Sequence, residues 1–354
     1  MASVWGCVPV LVAGLLVCCG VWAADTNAAP QSVAFSHKDW ELACDNTRTC
    51  RAVGYQRDAD NEKPLALLLE RPAGVATVTT ARLMLGNYGQ TQPTPADLTV
   101  RVNGRSLGVV TIAKNTGIGE LNALQTAAVL VALPKIADVQ FVSGQHRWQL
   151  SDDGAAAVLL KMDEAQGRLG TATALVKKGN ASDSGVLPPL PVPWVQSGGI
   201  DTSKPIDALL AAAIKPLLTT GNSDCSELKD ARSQAQTPPP ELLQVWRLNA
   251  TQLLVSALCW RAAYNAGHGY WLVNDKPPYQ QHLITDSGSH YSHGVISASH
   301  KGRGLGDCWG HDEWVWNGVG FVHSSASTTG MCKLVAPGGA WKLPILVSRV
   351  LAAP

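Results

Sequence analysis

Charge is scarce in this chain of 354 residues. Asp, Glu, Lys and Arg make up 16% of it, against roughly 25% in an ordinary soluble domain. What charge there is nearly cancels, 28 Lys and Arg against 27 Asp and Glu. No basic face is therefore large enough to demand nucleic acid or an anionic membrane. Hydrophobic residues still reach 46%, a composition that folds rather than staying disordered. Phenylalanine occurs only 3 times and methionine 4 times, which leaves the bulky core positions to tryptophan. No repeat of fixed period is present. Beyond residue 22, no apolar run reaches the roughly 18 to 20 residues that a helix needs to cross a bilayer. Signatures of known chemistry are missing too: no C-x-x-C, no G-x-S-x-G, no H-E-x-x-H, and no S-x-x-K with its partners. Asp, Ser and His abound, yet no spacing selects a triad. The sequence calls for no metal and no cofactor.

Among the features present, the first is a leader. Residues 7–22 read CVPVLVAGLLVCCGVW, an apolar run of signal-peptide length. Val21-Trp22-Ala23 sets small residues at −3 and −1, so cleavage is expected before Ala24, with residues 1–23 removed. No Lys or Arg precedes Lys38, so the usual positive n-region is absent. A lipid anchor on Cys18 or Cys19 is the alternative. Cysteine usage agrees with export to the periplasm. Of 9 cysteines, Cys7, Cys18 and Cys19 leave with the leader. Cys44, Cys50, Cys225, Cys259, Cys308 and Cys332 remain, an even set in a compartment that permits disulfides. Order along the chain favours neighbours as partners, and the spacings suit no zinc template.

A chain this long exceeds what one core serves, so two domains are expected. Residues 34–178 form the first, 179–200 a proline-rich linker and 201–354 the second. Pro188, Pro189, Pro191 and Pro193 exclude a helix interior or a central strand from that linker and favour an extended spacer. The fold class is α+β. The first domain reads as antiparallel strands and hairpins plus two helices. Strands are expected at 40–43, 65–70 and 81–86, with a hairpin over 98–112 that turns at Asn103-Gly104. Helices follow over 120–133 and from an N-cap at Ser151 or Asp152 onward. The second domain reads as mainly antiparallel β behind one or two leading helices, the first capped by Ser203 and the second over about 225–235. It holds a second Asn-Gly hairpin at Asn317-Gly318, and 7 of the 12 tryptophans. Buried indoles there need partners for their N–H groups.

Several constellations carry a sharper and a blander reading. His268, His282, His290, His293, His300, His311 and His323 crowd the second domain, but no pair has metal-ligand spacing, so scattered loop and strand-end histidines are the expectation. KGRGLGDCWG (301–310) is the densest glycine run. A phosphate cradle would need a strand before it and a helix after; Trp-rich β follows instead. A turn buttressed by Arg303 and Asp307 is the plain reading, and a small-molecule or partner site the sharper one. Trp309, Trp314 and Trp316 with His311 form an aromatic and polar patch: core packing, or a stacking platform for a glycan or peptide. Trp314 and Trp316 should share one strand face, opposite Val315. The carboxylate pairs Asp152/Asp153 and Asp163/Glu164 read as a helix cap and as part of a solvated helix face. Any binding site is placed on Arg303, Asp307, Trp309, His311, Trp314 and Trp316.

Five stretches together resemble a known family. WELACDNTRTCRAVGY (40–55), LTVRVNGRSLG (98–108), WQLSDDGAAAVLLKMDEAQGRLGT (148–171), KGRGLGDC (301–308) and WVWNGVGF (314–321) are similar to the blocks of the bacterial domain-of-unknown-function family numbered 1176. One departure is the WGHDE segment between Cys308 and Trp314. The opening block is also faintly similar to the invasion-associated locus B proteins. The resemblance implies an exported protein of Gram-negative bacteria and supplies no reaction. The expectation is an exported periplasmic protein with a binding or envelope-associated role, its partner an envelope protein or glycan. The alternative is an envelope hydrolase.

Overall fold

The computed structural model describes residues 32–86, 94–207, 210–220, 225–229 and 243–353. The expected leader over 1–23 and prolines 238–240 lie outside the described residues. The fold is mainly antiparallel β. Its first half opens with β1 (Val33–His37), β2 (Trp40–Cys44), β3 (Cys50–Tyr55), β4 (Leu65–Arg71) and β5 (Thr80–Leu85). β6 (Asp97–Val102) and β7 (Arg105–Thr111) form the expected hairpin. Asn103 at φ 49° and Gly104 at φ 79° supply the positive dihedrals of its tight turn. β8 (Ile118–Leu121) pairs with β5 and completes a six-stranded sheet, β1-β2-β3-β4-β5-β8. β9 (Val139–Ser143) and β10 (His146–Leu150) extend the hairpin to a four-stranded sheet, β10-β9-β6-β7.

Both helices of this half begin later than their hydrophobic pattern suggests, and local chemistry gives the reason. α1 (Ala123–Ala132) starts behind Asn122, whose side chain accepts from the Gln125 N–H while the Gln125 side chain accepts from the Asn122 N–H. This reciprocal cap sets the boundary, and residues 118–121 go to β8 instead. α2 (Ala155–Ala165) starts behind Gly154 at φ 98°. A Cβ there would collide with the His37 carbonyl, so only glycine serves. Ser151 and Asp152 do not cap the helix. The Ser151 hydroxyl accepts from the Asp153 N–H, and the Asp152 carboxylate holds Arg57 and the Ala137 N–H.

The run LALLL in β4 is buried on both faces. Leu65, Leu67 and Leu69 join a core shared with α2 and the four-stranded sheet. Ala66 and Leu68 face the other way, with Ala43, Val53 and Tyr55, against Val335, Ala340, Trp341 and Leu343. The second layer over this sheet thus comes from almost 300 residues later in the chain. Gln56 and Asn46 add hydrogen bonds to the backbone at Lys333 and Val347.

The proline-rich stretch is fastened along its length. Leu187 and Leu190 donate to the Gln166 and Thr47 carbonyls, and β11 (Trp194–Gln196) lies in it. α3 (Leu210–Thr220) opens at Leu210, not behind Ser203. The Pro205 carbonyl is already taken by Arg247, and Lys204 reaches across to Asp275 and the Ala250 carbonyl. α4 (Ser226–Lys229) is short, and the rest of the helix expected to residue 235 lies outside the described residues. β12 (Gln244–Arg247), β13 (Gln252–Arg261), β14 (Ala266–Asn274) and β15 (Gln281–Gly288) make one sheet in that order. β16 (His290–Ser292), β17 (Val295–Lys301), β18 (Trp309–Trp316), β19 (Phe321–Thr328) and β20 (Leu343–Leu346) make another. β21 (Arg349–Leu351) pairs in parallel with β11. The second Asn-Gly does not form a two-residue turn. Residues 317–320 make a longer loop in which Asn317 Oδ1 accepts from the Val319 and Gly320 N–H groups.

The six cysteines pair as neighbours. Cys44 and Cys50 sit directly opposite each other on β2 and β3. Cys225 pins α4 onto β13 at Cys259, where the pairing with β14 slips by a residue. Cys308–Cys332 ties the glycine-rich turn to the segment after β19. Among the described residues, no helix is long and apolar enough to cross a membrane.

Candidate functional site

The glycine-rich turn is built around one buried carboxylate. Asp307 receives Arg303 through both oxygens, Nε to Oδ1 at 2.7 Å and Nη2 to Oδ2 at 2.5 Å. The Leu334 N–H adds a third bond, at 2.8 Å. Burial pushes the Asp307 carboxyl up, but Arg303 and the Leu334 N–H outweigh it and hold the group below its usual range. Gly302 lies against the disulfide: a Cβ there would stand 2.6 Å from Cys308 Sγ. Gly306 has φ 71°. Asp307 lies close to both sulfurs of the disulfide, but those sulfurs are spent on each other and offer no thiolate to a metal.

The aromatic residues divide between the two faces of their sheet. Trp314 and Trp316 point to the same side, as alternation requires, and Trp316 is buried. They join Leu254, Tyr270, Ile296, Trp246, Tyr291 and Phe321 between the two sheets of this half. Among the described residues, the Trp316 and Trp341 indole N–H groups are buried without a partner, whereas Trp40 donates to the Ser151 carbonyl. Trp309 and His311 lie on the opposite, half-exposed side, their rings parallel within 6° and 6.1 Å apart. Trp309 donates to the Gly306 carbonyl, and the Lys301 ammonium sits over its ring.

Three histidines pair with side chains that a hydrolase would use. Ser299 Oγ lies 3.0 Å from His311 Nδ1, Ser292 Oγ 2.6 Å from His293 Nδ1, and His323 Nε2 2.9 Å from Asp312. Among the described residues, none of these pairs extends to a third member. A serine, a histidine and an orienting acid are not brought into one chain.

A concave site does exist, built by residues of which the sequence singled out only His293. A cavity of about 550 Å³ is lined by Ile200, Ile206, Val245, Trp246, Tyr291 and His293, with Lys204 and Arg247. β12 and β16 are the outermost strands of their sheets, and the cavity runs from one to the other. Its aromatic wall is Trp246 against Tyr291, ring centres 4.8 Å apart. Burial holds the Tyr291 phenol above its ordinary value against the opposing bond with Gly294. Asp275 receives both Lys204 and Arg247. The hydrogen bond from Lys204 leads in holding its carboxyl below the usual range, and Arg247 helps, against the cost of burial. Arg247 is itself buried, and its Nε has no partner among the described residues. Of the six residues first picked, Trp314 and Trp316 pack behind this wall. Arg303 and Asp307 hold a turn, and Trp309 and His311 lie on the outer face. The missed signal was Trp246 beside Arg247 on a sheet edge, visible only once the strand order is known.

Comparison with known proteins gives the following. The family described as "Protein of unknown function (DUF1176)" matches residues 34–348. A relative from Escherichia coli (strain K12), "Uncharacterized protein YpfG", is 25% identical over 318 residues, covering 83% of this chain and 86% of the relative. No solved structure matches.

Proposed function

The chain belongs to the DUF1176 family of proteins of unknown function, and on that footing we propose that it is an exported, periplasmic, disulfide-stapled protein that binds an extended peptide segment of an envelope partner. The observation that carries this reading is the groove between the edge strands β12 and β16, with Trp246 and Tyr291 along one side. Peptides add to exposed sheet edges and place alternate side chains in adjoining pockets. Aromatic anchors supply much of the energy at such surfaces. The polar complement points the same way. Lys204 and Arg247 line the groove, held by Asp275 with Asp201 also acting on Arg247, so the polar end offers cationic donors to the carbonyls or carboxylate of a bound segment. A glycan would ask for a denser array of donors and acceptors than Ile200, Ile206 and Val245 provide. A hydrolase has less support, because its would-be serines, histidines and acids stay in separate pairs. The leader-like run at 7–22 and six fully paired cysteines support export.

We also propose that residues 34–178 and 201–354 are two domains. Each has cores of its own, and the segment around Trp341 bolts them together.

The groove is tested with a displayed random-peptide library selected on the purified protein. The half-exposed Ile206 lines the groove, and Ile206→Asp sets a charge there without touching a core. Enriched peptides should lose about tenfold in affinity, roughly one unfavourable desolvation of a charge against an apolar side chain. Peptides that bind this variant as well as the wild type, or a library that yields none, would sink the reading.

A further inference from the structure

A second cavity, in the first half of the chain, is lined by two buried arginines whose hydrogen-bonding capacity is not filled. Arg71 at the end of β4 and Arg168 just beyond α2 each retain only 1% of their exposure. Asp163 of α2, fully buried, pairs with Arg71 at 2.9 Å. Its other oxygen accepts from the Leu175 and Val176 N–H groups. Arg71 Nε donates to Gln166 at 2.7 Å, and Arg71 Nη1 has no partner among the described residues. Arg168 forms no ion pair among the described residues: its donors go to Thr173, Thr77 and the Gly74 carbonyl, and its Nε has no partner. Asp163 acts on both guanidiniums, and Asp183, hydrogen-bonded by Thr173, acts on Arg168 from farther away. Buried charge of this kind is costly unless a counter-charge and hydrogen bonds compensate it. Burial accordingly lowers the proton affinity of both arginines, yet arginine stays charged in proteins.

The same two arginines line a cavity of about 430 Å³, otherwise walled by Val78, Leu121, Leu130 and Leu175 and by threonine hydroxyls. A pocket of this size, mostly apolar and with a few convergent polar groups, has the form of a small-molecule site. We propose that it binds the carboxylate of a small aliphatic monoanion, with the head on Arg71 and Arg168 and the chain along the leucine and valine wall. The planar guanidinium fork is the side chain best matched to a carboxylate. The apolar wall disfavours a fully hydrated inorganic ion. This site is separate from the groove at β12 and β16 and does not depend on its reading.

The test is calorimetric titration of the purified protein with octanoate, octanamide and acetate. Octanoate should bind saturably and at least tenfold more tightly than either of the others. The amide lacks the charge and acetate lacks the chain, and each loss corresponds to at least about a tenfold step. Arg168→Lys keeps a cation but loses the fork and should weaken octanoate about tenfold. Val78 is exposed at the rim, so Val78→Asp serves as a second variant that leaves the buried cluster intact. It should also weaken octanoate, while Ile206→Asp in the distant groove changes nothing. Octanoate that binds no better than octanamide or acetate, or equally well to folded Val78→Asp, overturns the proposal.

Discussion

Two acid–arginine clusters hold this protein together, and they differ in how completely their donors are used. At the glycine-rich turn, Asp307 is buried but Arg303 is partly open to solvent, the side chains retaining 0% and 37% of their exposure. Asp307 has its bonds filled by Arg303 and the Leu334 N–H, and Asp58 also acts on Arg303. Beside α2, Asp163 is shared between Arg71 and Arg168, all three buried. The first cluster is complete and explains itself as a fastener. The second has donors left over and opens onto a cavity. The contrast teaches that donors left unfilled beside a cavity, more than the presence of charge, separate a strut from a site.

The contrast predicts unequal consequences when the acids are removed. Asp163→Asn would strand two buried cations and weaken two backbone bonds, and should cost about 3–5 kcal/mol in denaturant unfolding. A cost below about 1 kcal/mol would mean that the cluster is already compensated. Asp307→Asn leaves a cation that water can still reach, and should cost about 2 kcal/mol. Its effect should also depend on pH. The Asp307 carboxyl titrates lower in the folded protein, so its contribution is present above the ordinary Asp value of about 3.9 and fades as pH falls through the folded value. The gap in Tm between wild type and Asp307→Asn should narrow below about pH 4; a constant gap would show that the charge is not what holds the turn. Gly302→Ala, which presses a methyl on the Cys308–Cys332 sulfurs, should cost about 1–2 kcal/mol. Lys161→Ala breaks an exposed ion pair with Glu164 and should change stability by less than about 0.5 kcal/mol, giving the floor against which the others are read.

How much of this was legible follows from where each signal resides. The Asn103-Gly104 hairpin and the neighbouring disulfides are local, and they were readable. Asn317-Gly318 carries the same dipeptide, yet Asn317 uses its side chain on Val319 and Gly320, so the loop is longer. The start of α2 was misplaced because Gly154 is required by the His37 carbonyl, a neighbour no window contains. Asp163 reads as a solvated helix position beside Glu164 and is fully buried, because its partner Arg71 is 92 residues away. Thr77, Arg168 and Thr173 are ordinary residues until the fold joins them. Trp246 and Tyr291 reach the groove only through sheet order. The candidate sites were the least legible part, since each is assembled from distant pieces.

The segment that covers the second face of the first sheet carries a consequence for how the protein is made. Ala43, Val53, Ala66 and Leu68 emerge from the ribosome long before Val335, Trp341 and Leu343, against which they pack. Until those arrive, the sheet presents a greasy face with no cover, the kind of surface that aggregates. A chain that folds only after its end has been delivered avoids that exposure. Export in an unfolded form, with folding completed on the far side of the membrane, would meet the requirement, and a product stopped short of Val335 would be a target for proteases rather than a smaller working protein.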